Sequence, residues 1–338
     1  MIIYSAGYYR EYTICGNMEI IMTEVRKYYI GIDLGGTFIK GGIVDDLGKI
    51  IVSDKIPTES SGGSGKVAEN IAKLCGILLD KVNMTAADIV GVGMGVPGMI
   101  DSARGEVVYS NNLAWEHFFI GEAVERLVGL PIRIANDANV AALGETGFGA
   151  GKSYKNTVML TLGTGVGGGI IIGGKLFEGN RSAGAELGHA VIVAGGEPCT
   201  CGRRGCLEAY ASATALIRET KRMMKKAPES KMWEIGSLDK VDGKLAFDYA
   251  ASDEYAGAVV EGYIEKLGTG IVNIANVFRP EAIILGGGVC AQGDSLIVPL
   301  REYLKKELYA GDKGPEVKLA IAELGNSAGL VGAAALWM

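Results

Sequence analysis

Half of the six cysteines and one of the two histidines of this 338-residue chain lie in one short stretch: His189, Cys199, Cys201 and Cys206. Three thiols and an imidazole are a complete tetrahedral donor set for zinc. One residue separates Cys199 from Cys201, and Gly202 and Gly205 let the backbone fold back so that Cys206 reaches the same point. Glu186 stands three residues before the histidine and Glu208 two after the last cysteine. A metal knot would hold both carboxylates in place for a polar ligand. Such thiols could instead be buried separately or form a disulfide, but their clustering between glycine turns favours the metal.

A second chemistry is written twice. Residues 28–32 read as a buried strand, Asp33-Leu34-Gly35-Gly36-Thr37 as a turn, residues 38–44 as the return strand, and 49–52 as a third strand beyond a Gly48 hairpin. The pattern returns as a strand at 157–162, the turn Gly163-Thr164-Gly165, a strand at 166–172 and a hairpin into 175–177. Leu34-Gly35-Gly36-Thr37 aligns with Leu162-Gly163-Thr164-Gly165, and each copy ends in Gly-Lys followed by an apolar residue. Glycines at such turns bring backbone N–H groups close to anionic oxygens. Asp33, at the end of its strand, offers a hard oxygen to a phosphate-bound magnesium or its water, and Lys40 lies on the return strand. One such hairpin is weak evidence. Two suggest like domains facing one cleft that holds a phosphate chain.

The remaining elements must position these groups. An amphipathic helix is expected over 67–82, with apolar residues near a period of 3.6. A strand over 89–96 opens into the rigid turn Pro97-Gly98. Asn111-Asn112-Leu113-Ala114-Trp115 is a polar loop whose asparagines could bind hydroxyls or cap a turn. His117 reads as a surface or capping histidine. A strand over 131–135 ends in Asn136-Asp137-Ala138-Asn139, followed by a helix from Val140. Backbone N–H groups at such a junction favour a charged carboxylate. Asp137 or Asn136 could be only an N-cap, but facing two phosphate hairpins Asp137 is the candidate for chemistry. Beyond the metal loop, 209–226 reads as one helix with a solvated basic end, and 227–253 as polar and irregular. A long helix over 254–278 is stopped by Arg279-Pro280. A strand over 282–285 runs into Gly286-Gly287-Gly288, which permits close approach by a flat ligand such as a nucleoside. A helix over 295–309, a strand over 317–321 and an alanine-rich helix over 326–337 complete the chain.

The length suggests about two domains. A net charge of −6 makes nucleic acid or an anionic membrane a poor partner. No secretory signal or membrane-spanning run is visible. The scattered Cys15, Cys75 and Cys290 suit a reducing compartment, so a cytoplasmic location is expected. Residues before about 28 show no clear period, and residues 1–23 are set aside as an extension of unassigned role.

Taken in order, the turns at Asp33 and Gly163, Gly95-Val96-Pro97-Gly98, the Asn112 loop, Asn136-Asp137-Ala138-Asn139, Glu186-Leu187-Gly188-His189, the Cys199 to Glu208 segment and Leu285-Gly286-Gly287-Gly288-Val289 resemble sugar kinases of the ROK family (repressors, uncharacterised frames and kinases). The resemblance implies an α/β, two-domain, actin-like or hexokinase-like ATPase fold of duplicated ribonuclease H-like domains with a zinc-binding loop. The smaller domain would comprise residues 24–138 plus 326–338, and the larger one 139–325. Fewer than thirty residues precede the first hairpin, with no helix-turn-helix pattern, so the kinase branch is expected rather than the repressors.

By that resemblance Asp137 is the general base that takes the proton of a sugar hydroxyl as its oxygen attacks the γ-phosphorus of ATP. Gly98, Asn112, Asn136, Asp137, Glu186, His189 and Glu208 would contact the sugar. Asp33, Gly35, Gly36, Thr37, Lys40, Gly163, Thr164 and Gly165 would serve the phosphates and Mg2+, and Gly286, Gly287 and Gly288 the adenosine. His189, Cys199, Cys201 and Cys206 would hold a structural zinc, with the second nitrogen of His189 turned to the sugar. Within the family the pattern is most similar to the bacterial glucokinases, implying transfer to the 6-hydroxyl of glucose. N-acetylmannosamine or N-acetylglucosamine would be the alternative acceptors and polyphosphate an alternative donor. A sugar sensor without catalysis is the competing class. Arg181 and Ser182 are bulkier than expected in the segment leading into the site. The family's habit is a homo-oligomer, a dimer or tetramer.

Overall fold

The computed structural model describes residues 10–15, 19–24 and 26–338, with side chains from Arg26 onward except at Asp312. The role of residues 1–23 therefore falls largely outside the described residues. The stretch with no clear period contains one antiparallel pair, β1 (Arg10–Cys15) with β2 (Glu19–Glu24).

β3 (Tyr28–Leu34), β4 (Phe38–Asp45) and β5 (Ile50–Pro57) form an antiparallel meander. α1 (Gly63–Val82) leads to β6 (Ile89–Val96), parallel to β3. A small sheet of β7 (Met99–Asp101), β8 (Glu106–Ser110) and β9 (Trp115–Phe118) precedes α2 (Ile120–Val128) and β10 (Ile132–Asn136), which is parallel to β6. α3 (Asp137–Phe148) links to a second meander of β11 (Thr157–Leu162), β12 (Val166–Ile172) and β13 (Lys175–Leu176). After the metal loop come α4 (Glu208–Ala211), α5 (Ala213–Lys226), α6 (Leu245–Tyr249) and α7 (Glu254–Phe278). β14 (Ala282–Gly286), α8 (Asp294–Glu307), β15 (Lys318–Ile321) and α9 (Ala328–Ala335) end the chain.

The sheets run β5-β4-β3-β6-β10 and β13-β12-β11-β14-β15. Each is an antiparallel meander extended by two parallel strands, in the same spatial order. The repeat legible in the two hairpins is thus a repeat of the whole sheet. Central β14 is buried along its length, as a strand covered on both faces should be, whereas edge strand β5 alternates between half-buried and exposed.

The helices that end the two repeats cross over. α3 packs on β12, where a Cβ on Gly169 would come within 2.4 Å of the Ala142 methyl. α9 packs on the first sheet, where a Cβ on Gly93 would meet the Ala333 carbonyl at 1.7 Å. The two helices touch at Gly332, where an added Cβ would lie 1.6 Å from the Val140 carbonyl. Glu145 of α3 is fully buried, and its carboxylate accepts N–H bonds from Ala150 (3.0 Å), Glu323 (3.0 Å) and Leu324 (2.7 Å). One side chain thereby ties down both connections around this crossing. Glu145→Ala would strand three amides, each worth about 1–3 kcal/mol when unsatisfied. A loss of about 3 kcal/mol or more by denaturant unfolding is expected, and a loss below about 1 would contradict the role.

Three expectations need correction. Residues 209–226 are two helices, because Ser212 leaves the helical conformation and its hydroxyl caps α5 through Ala215 N–H. The stretch 227–253 is irregular in outline but puts Met232, Leu245 and Ala246 into the second core. The basic end of α5 is not simply solvated: Arg222 donates to both carboxylate oxygens of Glu197, at 2.8 and 3.1 Å, and so ties α5 to the metal loop.

Candidate functional site

The metal loop is built on glycine. Gly202 and Gly205 have φ of 84° and 83°, and a Cβ on Gly205 would lie 1.7 Å from the Val193 carbonyl. Cys199 N–H bonds Arg203 O, and Gly202 N–H bonds Cys199 O, which closes the turn that presents the thiols. Zn–S bonds of about 2.3 Å and Zn–N bonds of about 2.0–2.1 Å give tetrahedral edges of about 3.8 Å for S···S and about 3.6 Å for S···N. Cys201 Sγ and Cys206 Sγ are 3.7 Å apart, Cys199 Sγ and His189 Nδ1 are 3.5 Å apart, and all four donors lie within 4.8 Å of one another. These spacings fit zinc and are far beyond a disulfide bond of about 2.05 Å. Nδ1 faces the thiols, which leaves Nε2 for another partner.

The loop is joined to the second hairpin. Gly188 lies so close to β12 that an added Cβ would be 2.0 Å from the Val166 carbonyl, and this contact brings Glu186 and His189 beside the turn. Glu208 makes the second link. Its Oε2 accepts Val166 N–H at 3.0 Å, and its Oε1 accepts the Thr200 hydroxyl at 2.6 Å. In the turn, Gly163 N–H is taken by Gly165 O, while the amides of Thr164 and Gly165 have no hydrogen bond among the described residues. Two contacts from the start of α5 brace the turn: Ala213 N–H to Gly163 O (2.8 Å) and the Thr214 hydroxyl to Thr164 O (2.8 Å). The positive end of that helix dipole therefore faces the hairpin.

The first hairpin differs from expectation at one residue. Gly35 N–H is consumed by Phe38 O at 3.0 Å, so only the exposed amides of Gly36 and Thr37 remain for an anion. Buried Thr58 holds this turn, with its hydroxyl on Gly35 O at 2.6 Å and its N–H on Thr37 O at 2.9 Å. Lys40 Nζ lies 3.4 Å from Asp33 Oδ2, across the β3–β4 ladder. The exposed Asn112 loop approaches the same turn: its carbonyl would be 3.7 Å from a Cβ on Gly36.

Asp137 stands at the head of α3, between these parts. Asn136 is the N-cap: its Oδ1 accepts from Ala138 N–H (2.8 Å) and Asn139 N–H (3.3 Å), and its Nδ2 donates to Gly98 O (3.0 Å). The Asn136 amide is thus largely committed, with one N–H left for a ligand. Gly98 has φ 121° and no room for a Cβ, which would lie 2.3 Å from Tyr109 O. Asp137 is not the capping residue; its side chain is open to solvent on one side, while protein atoms surround it closely on the others. Its carboxyl is pushed up to about 6. Loss of hydration is the largest cause, the Asp33 and Glu186 carboxylates add to it, and the Ala138 amide pulls the other way. The shift is therefore upward where the junction amides alone would lower it, because loss of hydration outweighs them, and the group is still ionised at neutral pH.

The glycine triplet divides. A Cβ on Gly287 would lie 2.4 Å from Leu162 O, so that glycine packs strand end against strand end. Gly286 is closed off by Met159 at 2.6 Å, and Gly288 alone faces open space. His117 is a surface residue on β9, with Nδ1 2.9 Å from Glu106 Oε1. Arg181 and Ser182 both have positive φ, 50° and 56°, and the Ser182 hydroxyl receives Ser102 N–H at 3.4 Å. Thr58, Thr200 and Thr214 were not singled out from the sequence. The Ser212 cap was the available sign for Thr214, whereas the sequence around Thr58 carried none.

Two like sheets, each with a glycine hairpin, the Asp137 carboxylate at the strand-to-helix junction and a loop whose Cys/His cluster could hold a metal ion fit a hexokinase-like α/β fold. The model of the ROK family matches residues 29–338, and the chain belongs to that family. A glucokinase from Halalkalibacterium halodurans is 38% identical over 312 residues, covering 90% of this chain and 93% of that protein. The crystal structure of a ROK family glucokinase from Streptomyces griseus in complex with glucose and AMPPNP is 37% identical, with a TM-score of 0.77 over 91% of this chain and 98% of that one. A xylose repressor from Caldicellulosiruptor bescii is 31% identical over 333 residues, 95% of this chain and 81% of that protein. Among the described residues no helix is long and apolar enough to cross a membrane.

Proposed function

We propose that this protein is an ATP-dependent glucokinase that transfers the γ-phosphoryl group to the 6-hydroxyl of glucose, with Asp137 as general base. The observation that carries this reading is the placement of Asp137 at the head of α3, where Asn136 makes the N-cap and the Asp33 and Glu186 carboxylates of the two repeats stand near enough to act on it. A base with a pKa near 6 is ionised at neutral pH and still basic enough to accept a hydroxyl proton in the transition state. The glucokinases at 37–38% identity support the same acceptor and donor.

In this mechanism the 6-oxygen attacks the γ-phosphorus in line while its proton passes to Asp137, and ADP leaves. The amides of Gly36 and Thr37 on one side and Thr164 and Gly165 on the other position the phosphate chain. Mg2+ would use the accessible carboxylate of Asp33. Glu186, Glu208, Asn112 and His189 Nε2 hold the sugar hydroxyls. Zinc on His189, Cys199, Cys201 and Cys206 would supply a cross-link that fixes the loop. The proposed domains are 24–138 plus 326–338 and 139–325. They close on the ligands and exclude water.

The test is ADP release with ATP and magnesium over glucose, mannose, fructose, N-acetylglucosamine and N-acetylmannosamine, with polyphosphate as a second donor. Glucose is expected to give the highest kcat/KM. Turnover restricted to an acetylated sugar would move the acceptor. Sugar binding with no turnover from either donor would favour a sensor, the direction of the repressor relatives.

A further inference from the structure

Glu208 is bonded both to the metal loop and to the second phosphate hairpin. We infer that Thr200 is the positioning residue that sets this carboxylate for its ligands, an inference that rests on the reading of Glu208 as a sugar contact. The Glu208 backbone is anchored where α4 begins, since Ala209 N–H bonds Cys206 O at 3.0 Å. Its side chain still has rotatable bonds, and a carboxylate is fixed only when both oxygens are engaged. Val166 N–H engages Oε2 at 3.0 Å. On Oε1 the short bond is the Thr200 hydroxyl at 2.6 Å, while Cys199 Sγ is at 3.6 Å. A metal-bound Cys199 is a thiolate and has no proton to donate. Thr200 is then the only donor on that oxygen among the described residues.

Thr200 itself contributes no metal donor, although it sits between two residues that do. It is exposed, so replacing its hydroxyl opens no cavity. Its role is to hold Glu208 against the hairpin, where Oε2 would lie 2.4 Å from a Cβ on Gly165. Loss of this bond frees Glu208 to rotate, which weakens the sugar contact and loosens the hairpin that receives the nucleotide. The effect belongs in binding, because Asp137 and the amides of the first hairpin are untouched.

Thr200→Val, nearly the same shape, and Thr200→Ser, which keeps the hydroxyl, separate positioning from a structural role. Zinc content and melting temperature are measured alongside glucose Kd by calorimetry and kcat and KM for both substrates. Thr200→Val is expected to keep its zinc and its melting temperature. Glucose Kd and both KM values rise about tenfold, the size of one charge-assisted hydrogen bond, kcat stays within about threefold, and Thr200→Ser restores binding. Zinc-loaded Thr200→Val with wild-type glucose and ATP constants would overturn the inference alone, as would a defect that follows zinc loss and is not rescued by serine. Wild-type protein that binds no hexose would overturn both this inference and the functional reading.

Discussion

Asp137→Asn is expected to lose about 10³-fold in kcat and, at the same time, to gain stability at neutral pH. The first effect follows because the amide cannot accept the 6-hydroxyl proton. The second follows from the raised carboxyl. A carboxyl whose folded pKa lies above its unfolded value holds its proton more tightly when folded. Its ionisation therefore costs the folded state stability as pH rises from about 4 to about 6, and the cost persists above that range. The displacement from 3.8 to about 6 corresponds in full to about 3 kcal/mol. Water reaching the open cleft reduces the expected gain to roughly 1 kcal/mol. Activity has the opposite dependence on pH. The base is ionised above about pH 6, so kcat/KM should fall about tenfold for each pH step well below that value. An Asp137→Asn protein that is inactive but no more stable at pH 7 would separate the catalytic assignment from the cause given for the shift. One that retains most of its turnover would remove Asp137 from the chemistry.

The second large effect concerns the metal. Removing zinc, or Cys201→Ala, should weaken sugar binding and stability together. Leu187, Ile192 and Leu207 of residues 186–208 join the second core, but the turns between them are shaped by glycine and closed by four donors. Without the metal, three thiols and an imidazole converge with nothing to hold them, and the binding free energy is withdrawn from folding. A loss on the order of 3 kcal/mol is expected. Sugar affinity should fall at least about tenfold, since Glu186, His189 and Glu208 are all set by the loop. The Arg222–Glu197 pair keeps the base of the loop attached to α5, so the damage should centre on the sugar side. Calorimetry with glucose on protein of measured metal content checks this. Unchanged affinity in verified metal-free protein would contradict it.

The parts of the site that were legible in the sequence are those that depend on residue type at short spacing. The convergence of His189, Cys199, Cys201 and Cys206, both glycine hairpins and the strand-to-helix junction at Asp137 could be read because local backbone geometry demands those residues there. The duplicated sheet followed from the two hairpins. What could not be read depends on contacts between distant segments. Glu145 looks like an ordinary helical glutamate until residues 323 and 324 come to rest on it. Thr200 looks like a loop threonine until Glu208 turns towards it. The amide of Gly35 counts as free until the hairpin closes on Phe38. The small sheet β7–β9 escaped because its strands are short and its loop polar. The sign of the Asp137 shift also lay beyond the sequence, since it depends on how far the folded cleft removes water and on Asp33 and Glu186 standing close by.

The most direct test is to follow the conversion of ATP in the presence of glucose and magnesium by 31P nuclear magnetic resonance with zinc-loaded wild-type protein and with Asp137→Asn, each first shown to bind glucose. The expected result is stoichiometric glucose 6-phosphate and ADP from the wild type, and formation slower by about 10³-fold from the variant. Glucose 6-phosphate formed at comparable rates by both proteins, or none formed by a wild type that binds glucose and ATP, would contradict it.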